Sequence, residues 1–275
     1  MGIDLLTFLA IGFVAQLVDG ALGMAFGIIS TTALLSVGLS PAYASAAVHT
    51  AEVFTAGASA VSHIIHKNIA RRLVTNLASA GSLGAVIGAY ILSNIDGSVI
   101  RPLVAAYLLV LGLSILLRAG RAPPESDASP SFAAPLGIIG GFLDAVGGGG
   151  WGPTVTSTLL GSGHAPRMVI GSVNTAEFFV TVAAATTFFV ELGLVPMQAL
   201  VGLTVGGVVA APLGAYLARK VAARPLMAAV GLLVVGLAGF QSSSDNRTIV
   251  SCYEAVGFVG WTKKGGASQP LSRAF

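Results

Sequence analysis

The chain has 275 residues, of which 55% are apolar and only 9% charged, with a mean hydropathy of +0.87 and a formal net charge of +3. Soluble domains carry about a quarter charged residues, so this chain lacks the polar surface to coat a water-exposed globule, and an integral membrane protein is expected. So little charge excludes a nucleic-acid footprint and most enzyme classes, and a single cysteine, Cys252, excludes an internal disulfide or a cysteine-based metal cluster.

A hydrocarbon core about 30 Å thick takes roughly 20 apolar residues to span as helix. On that ruler the apolar stretches are 5–37, 43–65, 73–93, 100–117, 133–161, 167–190, 195–218 and 225–240. No basic residue precedes the first stretch and no small-residue cleavage site closes it, so a removable signal peptide is not expected. The stretches 5–37 and 133–161 are too long for one span. Each is interrupted by an aspartate followed by glycines: Asp19, Gly20, Gly23 and Gly27 in one, and Asp144, Gly147 to Gly150, Gly152 and Pro153 in the other. A glycine inside a helix costs about 1 kcal/mol against alanine, so both stretches are expected to be broken or re-entrant helix pairs.

These two stretches also match each other. An offset of 125 residues, the distance from Asp19 to Asp144, aligns 12–60 with 137–185 without a gap. It pairs Asp19 with Asp144, Gly23 with Gly148, Gly27 with Gly152, Pro41 with Pro166, Thr50 with Thr175 and Glu52 with Glu177. Slightly different offsets align Gly88-Ala89-Tyr90 with Gly214-Ala215-Tyr216, and Arg101-Pro102-Leu103 with Arg224-Pro225-Leu226. The chain is read as an internal duplication, the usual construction of a transporter.

Loop charge sets the orientation of the halves. If each half crosses an odd number of times, three or five, then Lys67, Arg71, Arg72, Arg118, Arg121, Arg167, Arg219, Lys220 and Arg224 all fall on the cytoplasmic side and Arg101 alone lies outside. An even count scatters them over both sides. The expectation is therefore an all-α polytopic membrane protein built as an inverted repeat. Residues 1–117 form the first membrane repeat, 118–132 a Pro/Ser-rich cytoplasmic linker, 133–240 the second repeat, and 241–275 a polar tail without a counterpart.

Ionisable residues at membrane depth are functional candidates by default. Here they are Asp19, His49, Glu52, Asp144 and Glu177, with Asn174 standing where His49 stands in the first half. Asp19 and Asp144 read either as ion or proton sites or as N-caps of the restarted half-helix, and the roles can coexist. Ser45, His49, Glu52, Ser59 and His63 share one helix face by their spacing, and Asn174, Glu177 and Thr181 form the equivalent stripe. That stripe is either a solvent-lined path for substrate and protons or a hydrogen-bonded seam between helices. Glu52 is expected to be the proton-responsive carboxyl and Glu177 mainly a hydrogen-bonding one.

The glycines at 147–150 are not a nucleotide loop, because no Lys-Ser/Thr follows them. Exposed N–H groups at a half-helix start instead offer a partly positive anion seat. Gly23, Gly27, Gly148, Gly149 and Gly150 are the candidate backbone donors, with hydroxyls from Thr31, Thr154 and Thr156 completing the set. Trp151 either walls that seat or packs a helix seam.

The segment from Asp144 to Gly152, its weaker copy from Asp19 to Gly27, the restarts at Pro41 and Pro166 and the twofold repeat together resemble the TauE/SafE group of membrane permeases, often called sulfite exporters, over about residues 5–240. The resemblance implies a multi-pass permease of the bacterial inner membrane that moves sulfite, organosulfonates or related sulfur-containing anions outward. It implies no enzyme activity, cofactor or metal, and leaves a homodimer open. Two other readings compete: an intramembrane aspartyl protease using Asp19 and Asp144, and a structural subunit whose polar residues only pack.

Overall fold

A computed structural model describes residues 5–22, 24–65, 67–118, 132–162 and 166–217, with isolated positions at 228, 232, 235 and 236. Among the described residues the only regular structure is helix. In the first half these are α1 (Leu5–Leu22), α2 (Phe26–Ser36), α3 (Pro41–Ile65), α4 (Arg71–Asn94) and α5 (Gly97–Arg118). The second half has α6 (Ala133–Gly147), a π-helical stretch Gly152–Thr156 that runs into α7 (Ser157–Gly161), α8 (Pro166–Leu192) and α9 (Met197–Leu217). The two overlong apolar stretches are thus each two helices, broken where the aspartate-glycine text lies. The apolar stretch 225–240, the linker at 119–131, the tail and Gly23 lie outside the described residues.

Local chemistry accounts for the boundaries. Pro41 and Pro166 open α3 and α8, where a missing N–H costs nothing. Gly148 ends α6 at φ 66° and Gly193 follows the end of α8 at φ 76°, both in the left-handed region.

The packing follows the duplication. α1 lies along α9, its counterpart α6 lies along α4, and α3 packs on α8 at the centre. The two outer pairs approach closely because glycines face backbone. A Cβ on Gly141 would stand 2.1 Å from the Gly81 carbonyl oxygen, and one on Gly206 would stand 2.2 Å from that of Leu9. Small residues of this kind let helices associate where lipid removes the hydrophobic driving force.

The distribution of polarity is that of a bilayer protein. Leu83, Val86 and Ile87 of α4 and Val205, Val208 and Val209 of α9 are exposed, whereas Thr31, His49, Glu52, Asp144, Thr156 and Thr181 are buried. Helices Arg71–Asn94 and Met168–Leu192 are long and apolar enough to cross a membrane.

Candidate functional site

Each break is held by its aspartate in the same way. Asp19 Oδ1 accepts hydrogen bonds from the backbone N–H groups of Ala25 at 2.7 Å and Phe26 at 3.2 Å. Asp144 Oδ1 accepts from Gly150 at 2.6 Å and Trp151 at 2.9 Å. In both halves the acceptor lies six and seven residues before its donors, so the duplicated sequence builds a duplicated cap. The first N–H groups of any helix lack intrahelical partners and carry partial positive charge, which a carboxylate neutralises.

The two breaks then meet. A Cβ on Gly27 would stand 2.7 Å from Gly149 Cα, and one on Gly152 would stand 2.6 Å from Met24 Cα. Gly149 has φ 150°, and a Cβ there would lie 2.2 Å from the Gly27 carbonyl carbon. The Thr31 hydroxyl closes the contact by donating to the Gly148 carbonyl. Tyr107 of α5 covers the far side of the second break, its ring against Gly147 and its hydroxyl against Gly150. Nothing in the sequence marks Tyr107. In the offset that pairs Arg101 with Arg224 its counterpart is Val230, so the repeat gave no signal there.

Trp151 is buried, donates from Nε1 to the Val173 carbonyl at 3.2 Å, and presses its ring against Gly81. It packs between α4 and α8. Thr154 belongs to the π-helical restart, where its N–H donates to the Gly150 carbonyl at 2.9 Å and its carbonyl accepts the Thr158 hydroxyl at 2.5 Å.

The ionisable residues converge on the same region. Glu52 is within electrostatic reach of Asp19, Asp144 and Glu177. Its Oε1 faces Gly27, and its Oε2 is buried without a hydrogen-bond partner. The fully buried hydroxyls Ser30 Oγ and Thr156 Oγ1 also have none. His49 Nε2 lies 3.2 Å from Asp144 Oδ2. Asn174, in the equivalent position, instead donates to Ser59 Oγ at 3.3 Å, so the two halves are wired differently. Lys67 stands in the connection between α3 and α4, and Arg71 and Arg72 in the first turn of α4, all three exposed.

The structure is a helical bundle, apolar on the outside, whose buried polar groups gather at two abutting helix breaks, an architecture that suits a membrane transporter. The chain belongs to the sulfite exporter TauE/SafE family, whose model matches residues 8–240. It is similar to the probable membrane transporter protein YtnM of Bacillus subtilis (strain 168), with 42% identity over 256 residues that cover 90% of this chain and 83% of the relative. No solved structure matches it significantly. The protease reading falls with this assignment. The geometry agrees, since each aspartate is committed to backbone amides.

Proposed function

We propose that the protein exports a small sulfur-containing anion, such as sulfite or an organosulfonate, across the bacterial inner membrane by alternating access around the contact between its two helix breaks. The observation that carries this reading is the set of buried, unpartnered polar atoms on the elements that meet there: Glu52 Oε2, Ser30 Oγ and Thr156 Oγ1. Each costs about 1–3 kcal/mol if nothing ever satisfies it, which argues for a ligand that does. In the closed contact the amides of residues 25, 26, 150 and 151 are taken by Asp19 and Asp144. The two carboxylates act as tethered anions, and a substrate anion gains those amides when a break loosens. Outward movement of a monoanion is favoured by about 2.3 kcal/mol per 100 mV of inside-negative potential.

The halves, 1–117 and 133–240, are proposed to be inverted relative to each other and joined by the linker 118–132. The loop charges support the inversion, and the equivalent packing of α1 on α9 and α6 on α4 supports the duplication. Glu52 and Glu177, one from each half, then belong to one shared polar centre. No element of the proposal requires a partner copy, a cofactor or a metal.

Thiol chemistry tests both parts in a Cys252→Ser background. Thr156→Cys should react with an anionic, membrane-impermeant methanethiosulfonate from either side of the membrane in turn, and sulfite should slow that reaction. Cysteines replacing Asp96 and Gly193 should label only from outside, and those replacing Ile69 and Val221 only from inside. A Thr156→Cys thiol reached from one side alone, indifferent to sulfite, would leave the structural-subunit reading standing. Labelling of 69 and 221 from opposite sides would overturn the inversion.

A further inference from the structure

The hydrogen bonds around His49 assign its protons. Ser45 Oγ donates its only hydrogen to the Ala145 carbonyl at 2.6 Å. His49 Nδ1 lies 2.8 Å from the Ser45 carbonyl oxygen and 3.2 Å from Ser45 Oγ. A carbonyl can only accept, so Nδ1 carries a hydrogen and is the donor. On the other side of the ring Nε2 faces Asp144 Oδ2, an oxygen that is bare in the ionised carboxylate. With Nδ1 already protonated, a neutral imidazole would turn a lone pair on Nε2 toward the lone pairs of that oxygen. The contact therefore needs a proton. That proton lies between Nε2 and Oδ2 and is shared by the two side chains, while Asp144 Oδ1 accepts its two backbone N–H bonds.

We propose that His49 and Asp144 form a proton-binding site, and that the proton they share latches the second helix break. Its consequence for transport rests on the proposed function, but the site itself does not. Loss of the proton from Nε2 to water leaves a neutral imidazole against the carboxylate. Asp144 is then repelled on the oxygen next to the one that caps Gly150 and Trp151. The first break has no such device, because Asn174 replaces His49 and turns to Ser59. One half of the duplicated site thus carries a histidine switch that the other lacks. On this proposal the histidine, itself one of the candidate proton-coupling residues, carries the proton response of the second break.

The surroundings favour such a site. The groups that face the pair are Glu52 of α3, Tyr107 of α5 and Glu177 of α8, with Asp19 of α1 reaching the two glutamates behind them. Phe188 lies against the ring, its centroid 6.0 Å from that of His49. α2 has no ionisable residue, α9 has none between Met197 and Ala210, and Arg71, Arg72 and Tyr90 of α4 are exposed. Among the described residues of this centre, which holds four carboxyls and no lysine or arginine, His49 is the one basic side chain.

The test uses the full-length protein in lipid nanodiscs. Hydrogen–deuterium exchange, corrected for the intrinsic rate, should show residues 147–152 losing protection about ten-fold as pH rises, the loss expected for a charge-assisted hydrogen bond, while 24–28 do not change. His49→Asn should give the weakened protection at every pH. If that variant does not fold, histidine 15N spectra decide the matter on a protein in which His63, His66 and His164 are replaced by Gln and the site is intact. Both ring nitrogens of His49 should be protonated while the break is protected. A bare Nε2 in the protected state would overturn the proposal, as would exchange at 147–152 that ignores both pH and His49→Asn. A pH-dependent latch in a protein that moves no sulfite would instead contradict the proposed function and leave the proton site in place.

Discussion

Gly149→Val should abolish anion transport and lower thermal stability in detergent, with a loss of about 3 kcal/mol or more from overpacking and backbone strain together. Gly149 has φ 150°, where branched residues are strained, and the added Cβ would sit 2.2 Å from the Gly27 carbonyl carbon. The obstruction is backbone, which cannot rotate away as a side chain can. The two breaks must then part, and the shared centre with them. Arg101, near the start of α5, is not among the residues at this contact, so Arg101→Ala should transport nearly as well as the unaltered protein. Efflux and melting temperature, measured side by side on both variants, check the contrast.

Asp144→Ala should be the more damaging of two equivalent deletions. It removes the acceptor of two helix-start amides, as Asp19→Ala also does, at about 1–2 kcal/mol for a lost cap. It also strands the His49 imidazole in a buried site, adding about 1–3 kcal/mol for an unsatisfied polar group. Asn174, which stands in for the histidine in the other half, is bonded to Ser59 and is not stranded by Asp19→Ala. Thermal unfolding of the two variants should therefore separate, with Asp144→Ala melting several degrees lower. Equal losses would mean that the histidine contact contributes nothing to stability.

Much of the architecture was legible because it is local. An aspartate followed by glycines cannot continue a helix cheaply, and both breaks fall where that text lies. The duplication was legible because Asp, Glu and Pro recur at one offset, and the caps at Asp19 and Asp144 follow from it. What was not legible is what crosses the fold. Nothing in the spacing joins Ser45 to Ala145 or His49 to Asp144, contacts that span 100 and 95 positions. The glycines at 148–150 read from sequence as amide donors for an anion. In the structure the Gly148 and Gly149 N–H groups donate to the Asp144 carbonyl and that of Gly150 to the Asp144 carboxylate, and Gly149 has a steric task, since it is where another backbone arrives. Tyr107 was invisible for a third reason. It has no partner in the second half, and a tyrosine in an apolar helix carries no spacing signal of its own.

Efflux of 35S-labelled sulfite from liposomes holding the purified protein tests the central claim most directly, with an alkanesulfonate, sulfate and thiosulfate as competitors. The account predicts sulfite efflux that an inside-negative potential accelerates, that at least one organosulfonate or other sulfur oxyanion competes for, and that Gly149→Val eliminates. Liposomes no leakier to any of these anions than protein-free ones, from protein that is folded by its melting curve, would contradict it.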